Sequence, residues 1–149
     1  VVQIGLFTTE LRTFDGVYVC VPNAQLWNRT IKNFSRLPTR RIDVPVGVAY
    51  EDDVDKAMTV LKGLLDADDR VLADPPAQVM VTELGDSAVV VNMRCWTEAS
   101  NYWDLLFHLN RSAKLAVEAA GLTIPFPQRD VHLKGALAPA PEPKAAKTA

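Results

Sequence analysis

The sequence predicts an α+β protein in two unequal parts: a partial β domain over residues 1–37, then a layer of two helices on an antiparallel sheet. Three observations carry this. The first stretch holds short β-type runs broken by turn residues, with no helical period. From residue 44 onward the order of patterns is strand, helix, strand, strand, helix. Between the two parts the composition changes abruptly to SRLPTRRID, where cations meet no apolar periodicity and Pro38 disfavours helix before it. With 149 residues and 48% hydrophobic content, the chain can bury one moderate core or two small ones. A core of fewer than about 80 residues needs staples or partners.

In the first part, strands are expected at 2–8, 11–14 and 17–21, with Asp15-Gly16 as a two-residue turn in which the positive φ is met cheaply. A further strand is expected at 30–34. Such a piece is too small to close its own core, and its first strand has no upstream neighbour, so missing strands are expected before Val1. The chain also opens on Val1 rather than Met and enters an apolar run at once, as the interior of a longer protein does. Residues 38–43 read as the linker.

The second part spans residues 44–127. Residues 44–50 are apolar apart from Pro45 and Gly47, which fits an edge or bent strand. Asp52 is the expected N-cap of the next helix, with Asp53 and Asp55 at the positive end of its dipole. Val54, Ala57, Met58, Leu61, Leu64 and Leu65 fall on one face of that helix. After the Pro75-Pro76 break, strands at 78–84 and 88–96 flank Gly85-Asp86-Ser87. Alternation there puts Val89, Val91, Met93 and Cys95 on one face and Val90, Asn92, Arg94 and Trp96 on the other. Ser100 is the expected cap of a second helix carrying Tyr102, Leu106, Leu109, Ala113, Ala116 and Ala120 at helical spacing, ended by Gly121 in the left-handed conformation. This order folds naturally as a ferredoxin-like α/β layer, whose last strand is either the segment near 128–133 or comes from elsewhere. Pro125 and Pro127 make a stiff lead into a terminal strand at 128–134. The tail over 135–149 has too little apolar content to order itself.

Little in the chain points to chemistry. His108 and His132 stand outside any paired-ligand spacing, and no nucleophile or phosphate-loop motif occurs, so no catalytic, cofactor-binding or metal site is predicted. Glu51-Asp52-Asp53 could be drawn as a cation site, but a helix start accounts for all three acids. Cys20 and Cys95 lie far apart in apolar runs and read as reduced, packed thiols. No run approaches the roughly 20 apolar residues that cross a bilayer. A net charge of −2 removes the general attraction to nucleic acid or anionic lipid. Lys32, Arg36, Arg40 and Arg41 form the one basic concentration, and an RNA-binding reading would add Trp27, Phe34 and Tyr50 as stacking surfaces.

Six short motifs follow one another in a telling order: Pro22-Asn23, Asn33-Phe34-Ser35-Arg36, Gly47-Val48-Ala49-Tyr50, Glu83-Leu84-Gly85, Tyr102-Trp103-Asp104-Leu105-Leu106 and Pro125-Phe126-Pro127-Gln128. Over nearly all of residues 1–133 the chain thereby resembles the cytoplasmic part of the mechanosensitive channel of small conductance (MscS) family. The resemblance implies a bacterial inner-membrane homoheptamer with transmembrane helices upstream of Val1 and this segment on the cytoplasmic side. It implies an Sm-like β domain beneath the pore, an α/β domain forming a lower cage with side portals, and permeating ions and small osmolytes released on hypo-osmotic shock. Carried over, Asn23 falls where the β domain contacts the pore helix, and Arg40, Arg41 and Asp43 fall at the portal rim. Asp130, Val131, His132 and Leu133 fall in a terminal strand that closes a parallel barrel between subunits. The other reading of that strand is pairing within its own sheet. One departure is Ala24-Gln25, where the family often has glycine and a basic residue, and alanine tolerates positive φ poorly. Two rivals stand beside this resemblance: a soluble Sm-like ring that binds nucleic acid, and a ferredoxin-like small-ligand regulatory domain.

Overall fold

The computed structural model describes residues 1–132, so Leu133, Lys134 and the 135–149 tail lie outside the described residues. In the first part, β1 (Gln3–Ile4), β2 (Thr8–Arg12) and β3 (Tyr18–Pro22) form an antiparallel sheet in that order, followed by a short helix α1 (Asn23–Trp27). The β2–β3 turn is wider than a two-residue one. Gly16 N–H donates to Thr13 O at 3.1 Å and Thr13 N–H to Val17 O at 3.0 Å, and of the turn residues only Gly16 has positive φ, at 89°. A four-residue turn ending in a left-handed glycine meets the strand twist without forcing Asp15 into that region. The expected strand at 30–34 does not form. Asn33 Oδ1 instead accepts the N–H groups of Ser35 and Arg36, both at 3.0 Å, so a side chain takes the backbone donors that a ladder would need.

Of residues 1–37 only Thr9 is buried. Ile4, Leu6, Phe7, Phe14, Tyr18 and Trp27 all stand exposed. The β domain therefore has apolar surface and no closed core of its own.

The second part contains β4 (Thr39–Val48), α2 (Val54–Asp66), β5 (Gln78–Leu84), β6 (Val89–Glu98) and α3 (Tyr102–Ala119), with a 3-10 turn (Ala99–Asn101) leading into α3. Its sheet runs β4-β6-β5, wholly antiparallel, with β6 in the centre. The linker expected at 38–43 is mostly strand, because β4 begins at Thr39 and pairs with β6 from Glu98 onward. Outward charges at Arg41 and Asp43 hid an alternation in which Ile42, Val44, Val46 and Val48 point inward. Opposite them in register stand Cys95, Met93, Val91 and Val89, all buried.

Both helices cover this one face. α2 contributes Ala57, Leu61 and Leu65, and α3 contributes Leu105, Leu109, Ala113 and Val117, to a single core that also takes in Leu122. The cap of α2 is Asp53, one residue later than expected, and its Oδ1 accepts from the N–H groups of Asp55 and Lys56 at 3.0 Å. Ser100 does not cap α3. Its hydroxyl turns to Glu98 at 3.5 Å, and the 3-10 turn carries the chain directly into the helix. The buried stripe of α3 is also shifted: Leu105 and Val117 join Leu109 and Ala113, while Leu106 and Ala116 are half-buried. At its C-terminus Gly121 has φ 73°, and Leu122 N–H donates to Val117 O and Gly121 N–H to Glu118 O, each at 3.0 Å. This glycine cap folds Leu122 back onto Val117 and into the core.

The two parts predict opposite responses to truncation. Leu109→Ala, at a residue 1% exposed, should destabilise the chain by about 2–5 kcal/mol in urea unfolding. Leu6→Ala, at a residue 84% exposed, should change it by less than about 0.5 kcal/mol in the isolated chain. Equal losses would contradict the assignment of a single core.

Candidate functional site

Strand alternation splits the three residues expected at one rim. Arg40 shares the inward parity of Ile42 but lies beyond the end of the core, where its guanidinium sits 3.4 Å from the centroid of the Tyr102 ring and 5.0 Å from that of Phe34. These cation–π contacts join the segment after α1 to the start of α3. Arg41 and Asp43 point the other way, onto the sheet face that none of the described helices covers.

On that face Asp43 is the centre of a cluster. Arg94 Nε donates to its Oδ1 at 2.6 Å, Arg41 Nε to its Oδ2 at 2.8 Å, and Asn92 Nδ2 to its Oδ1 at 3.1 Å. Register explains the meeting, since Asp43 stands opposite Arg94, with Arg41 and Asn92 one outward step away on their own strands. Partial burial pushes the Asp43 carboxyl up, but the hydrogen bonds from Arg94, Asn92 and Arg41 outweigh it and hold the group below the usual carboxylate range. Arg94 and Asn92 were legible as outward residues of β6. What tied them to Asp43 was a register that the sequence does not state.

Asn23 opens α1 and acts as a bracket inside the β domain. Its Nδ2 donates to Gly5 O at 3.0 Å and Leu6 O at 3.1 Å, its Oδ1 accepts from the Thr9 hydroxyl at 2.8 Å, and its N–H donates to Phe7 O at 2.8 Å. The β1–β2 turn is thereby tied to the end of β3. Ala24 lies within α1, and no non-glycine residue among those described has positive φ, so the geometry that would demand glycine after Asn23 is not used.

At the far end of β4 three of the sequence motifs converge. Ala49 N–H donates to Thr123 O at 3.0 Å, the Asp52 carboxylate accepts from Thr123 N–H, and Lys56 Nζ donates to Ala120 O at 2.7 Å. Tyr50 OH donates to Gly85 O at 2.7 Å, and Gln128 N–H to Ser87 Oγ at 3.0 Å. The strap over 122–128 is thus fastened to the strand ends, over a cleft of about 400 Å³ lined by Tyr50, Asp86, Ile124 and Phe126. Residues 128–132, including Asp130, Val131 and His132, are irregular and join neither edge of the chain's own sheet. Leu133 lies outside the described residues.

The remaining candidates separate as well. Phe34 with Arg40 and Tyr50 flank opposite ends of a ten-residue strand, about 30 Å apart, so the stacking trio of the RNA-binding reading does not share one surface. His108 Nε2 lies 3.8 Å from Asp68 Oδ2, and Asp68 is itself held by Arg70 at 2.9 and 2.6 Å. Asp52 and Asp53 are both engaged, by the strap and the helix cap. Both cysteines are free: Cys95 is buried, and its thiol is pushed up to about 11 by burial and then by the charges of Asp68 and Asp43. Cys20 is exposed rather than packed, because no described residue covers that face of its sheet.

The chain is thus a two-part α+β protein with an unclosed β domain, a charged face on its second sheet and a strap fastened to the strand ends. Residues 42–124 match the family described as "Mechanosensitive ion channel MscS, C-terminal", and residues 1–36 match "Mechanosensitive ion channel, beta-domain". The chain belongs to the MscS family of mechanosensitive channels. It is 40% identical over 131 residues to the small-conductance mechanosensitive channel of Edwardsiella ictaluri, covering 88% of this chain and 46% of that protein. An MscS family protein of Synechocystis is 36% identical over 131 residues, covering 88% and 44% respectively. Among solved structures, closed-state MscS of Helicobacter pylori is similar at TM-score 0.84 and 26% identity, over 90% of this chain and 53% of that one. Arabidopsis thaliana MSL1 shares the fold at TM-score 0.71 and 18% identity, over 85% and 48%. The chain spans about half the length of these relatives.

The depressed Asp43 carboxyl makes a stability prediction with a definite sign. Its contribution is fully present above the unfolded value of about 4 and is lost as pH falls through the lower folded value. Asp43→Asn should therefore lower stability at pH 7 by about 1 kcal/mol, a figure kept small by solvent screening of a one-third-exposed side chain. The variant should also flatten the decline in urea midpoint as pH falls below about 4. Identical pH slopes in the two proteins would assign the titration elsewhere.

Proposed function

We propose that the chain is the cytoplasmic cage portion of a homoheptameric MscS-like channel in a bacterial inner membrane, which releases ions and small solutes on hypo-osmotic shock. The observation that carries this is the unclosed β domain. Apolar side chains at Ile4, Leu6, Phe7, Phe14 and Trp27 stand exposed in the single chain, and further strands of the β domain together with side-by-side copies around an axis would cover them. In this reading the β domain is Sm-like and sits under pore helices supplied by the rest of the protein, with Asn23 at the contact. The second part is a ferredoxin-like layer, supported by the strand order β4-β6-β5 with both helices on one face. Membrane tension favours the open state and shifts a two-state population, while the cage filters what reaches the pore.

Residues 128–132 would continue the strap as a strand that completes its hydrogen bonds only with neighbouring copies, closing a parallel barrel through Asp130, Val131 and His132. The fastening of the strap at Thr123 and Gln128 supports this, because it sets the direction in which the segment leaves the domain. Arg41 and Asp43 would line the portals. Arg40, held over Tyr102, would brace the portal region from the other face of the sheet. A nucleic-acid ring is disfavoured by the dispersal of the aromatic and basic groups it would need.

Patch-clamp recording of the full-length protein in liposomes should show stretch-activated currents. Native mass spectrometry should show a heptamer, and truncation after Pro127 should reduce its share at least tenfold. Protein inserted in the bilayer without tension-gated current would overturn the channel reading. An unchanged heptamer after truncation would discard the barrel.

A further inference from the structure

We infer that Arg94 is a specificity-determining residue for the permeating ion, the second cation of a cluster in which Asp43 sets how much arginine charge the passing ion meets. This rests on the portal reading of Arg41 and Asp43. The cluster is built by register: Asp43 on β4 faces Arg94 on β6, and the two guanidinium groups share one carboxylate, Arg94 through Nε at 2.6 Å and Arg41 through Nε at 2.8 Å. Asn92, only 6% exposed, donates to the same carboxylate at 3.1 Å and fixes its orientation. Two cations and one anion leave a net charge of +1 in this cluster in each copy. Among the described residues, the terminal Nη groups of Arg41 and Arg94 meet no hydrogen-bond partner, and both side chains are partly open to solvent, at 49% and 33%. A fixed cation with spare donors replaces part of the hydration shell of a small anion such as chloride and repels potassium. A ring of copies multiplies that bias.

The same geometry removes Arg40 from the selecting surface. Its parity places it on the helix side, with its charge directed onto the Tyr102 ring. Side-chain direction, not closeness in sequence, thus decides which arginines the ion meets, and Arg94 replaces Arg40 beside Arg41.

The test is the single-channel reversal potential of the full-length channel in a potassium chloride gradient. Arg94→Gln and Arg41→Gln should each lower the anion-to-cation permeability ratio, and by similar amounts. Asp43→Asn should raise it, Arg94→Lys should keep the wild-type value, and Arg40→Gln should leave it unmoved. If Arg41→Gln shifts the potential and Arg94→Gln does not, Arg94 is not a determinant, although the portal reading survives. A shift with Arg40→Gln, or with Arg94→Lys as large as with Arg94→Gln, would also overturn the assignment. If none of the variants moves the potential, the portal reading itself falls. Should Arg94→Gln fail to assemble, Asp43→Asn decides the point: no rise in the ratio would sink the shared-carboxylate cluster.

Discussion

The unbroken pairing of β4 with β6 is the constraint on which the rest of this structure depends. Ten residues of β4 meet ten of β6 in one register, from Thr39 opposite Glu98 to Val48 opposite Val89. On one side of that ribbon the pairing stacks Ile42, Val44, Val46 and Val48 beside Cys95, Met93, Val91 and Val89, an apolar floor for α2 and α3. On the other side it brings Asp43 between two arginines. A slip of one residue would exchange the faces and destroy both at once.

The same strand serves as a strut. Near its start Arg40 lies over Tyr102 and Phe34, so the segment after the β domain is held to α3. Just past its end Ala49, Tyr50 and Asp52 fasten the strap and the β5–β6 turn. About 30 Å of regular strand therefore separates the end nearest the β domain from the exit of the terminal segment. Because the core is packed against one face of that strut throughout, the second part is the rigid piece. The β domain, which buries only Thr9, is held by the Asn23 bracket between its β1–β2 turn and the end of β3.

Charge on this protein acts by placement rather than by sum. A net charge of −2 says nothing about a local cluster whose balance is +1. Arg40 and Arg41 are adjacent in sequence yet on opposite faces of a sheet, one against aromatic rings and one sharing a carboxylate.

The α+β class, the identity of α2, β5, β6 and α3, the glycine end at Gly121, and the family itself through its ordered motifs were all determined by the sequence. Each rests on local periodicity, turn chemistry or residue identity, which a chain carries in itself. Elements whose signal is masked or borrowed were decided only by the tertiary structure. Strand at 39–43 was hidden by outward charges, and the strand expected at 30–34 lost its donors to the Asn33 side chain. The cap of α2 moved from Asp52 to Asp53, with Asp52 recruited by Thr123 across the fold, and Ser100 turned to Glu98 in the 3-10 turn before α3. The site depended most on distant partners: Arg40 parted from Arg41, and Arg94 joined Asp43 from 51 residues away, through a pairing register that no local pattern contains.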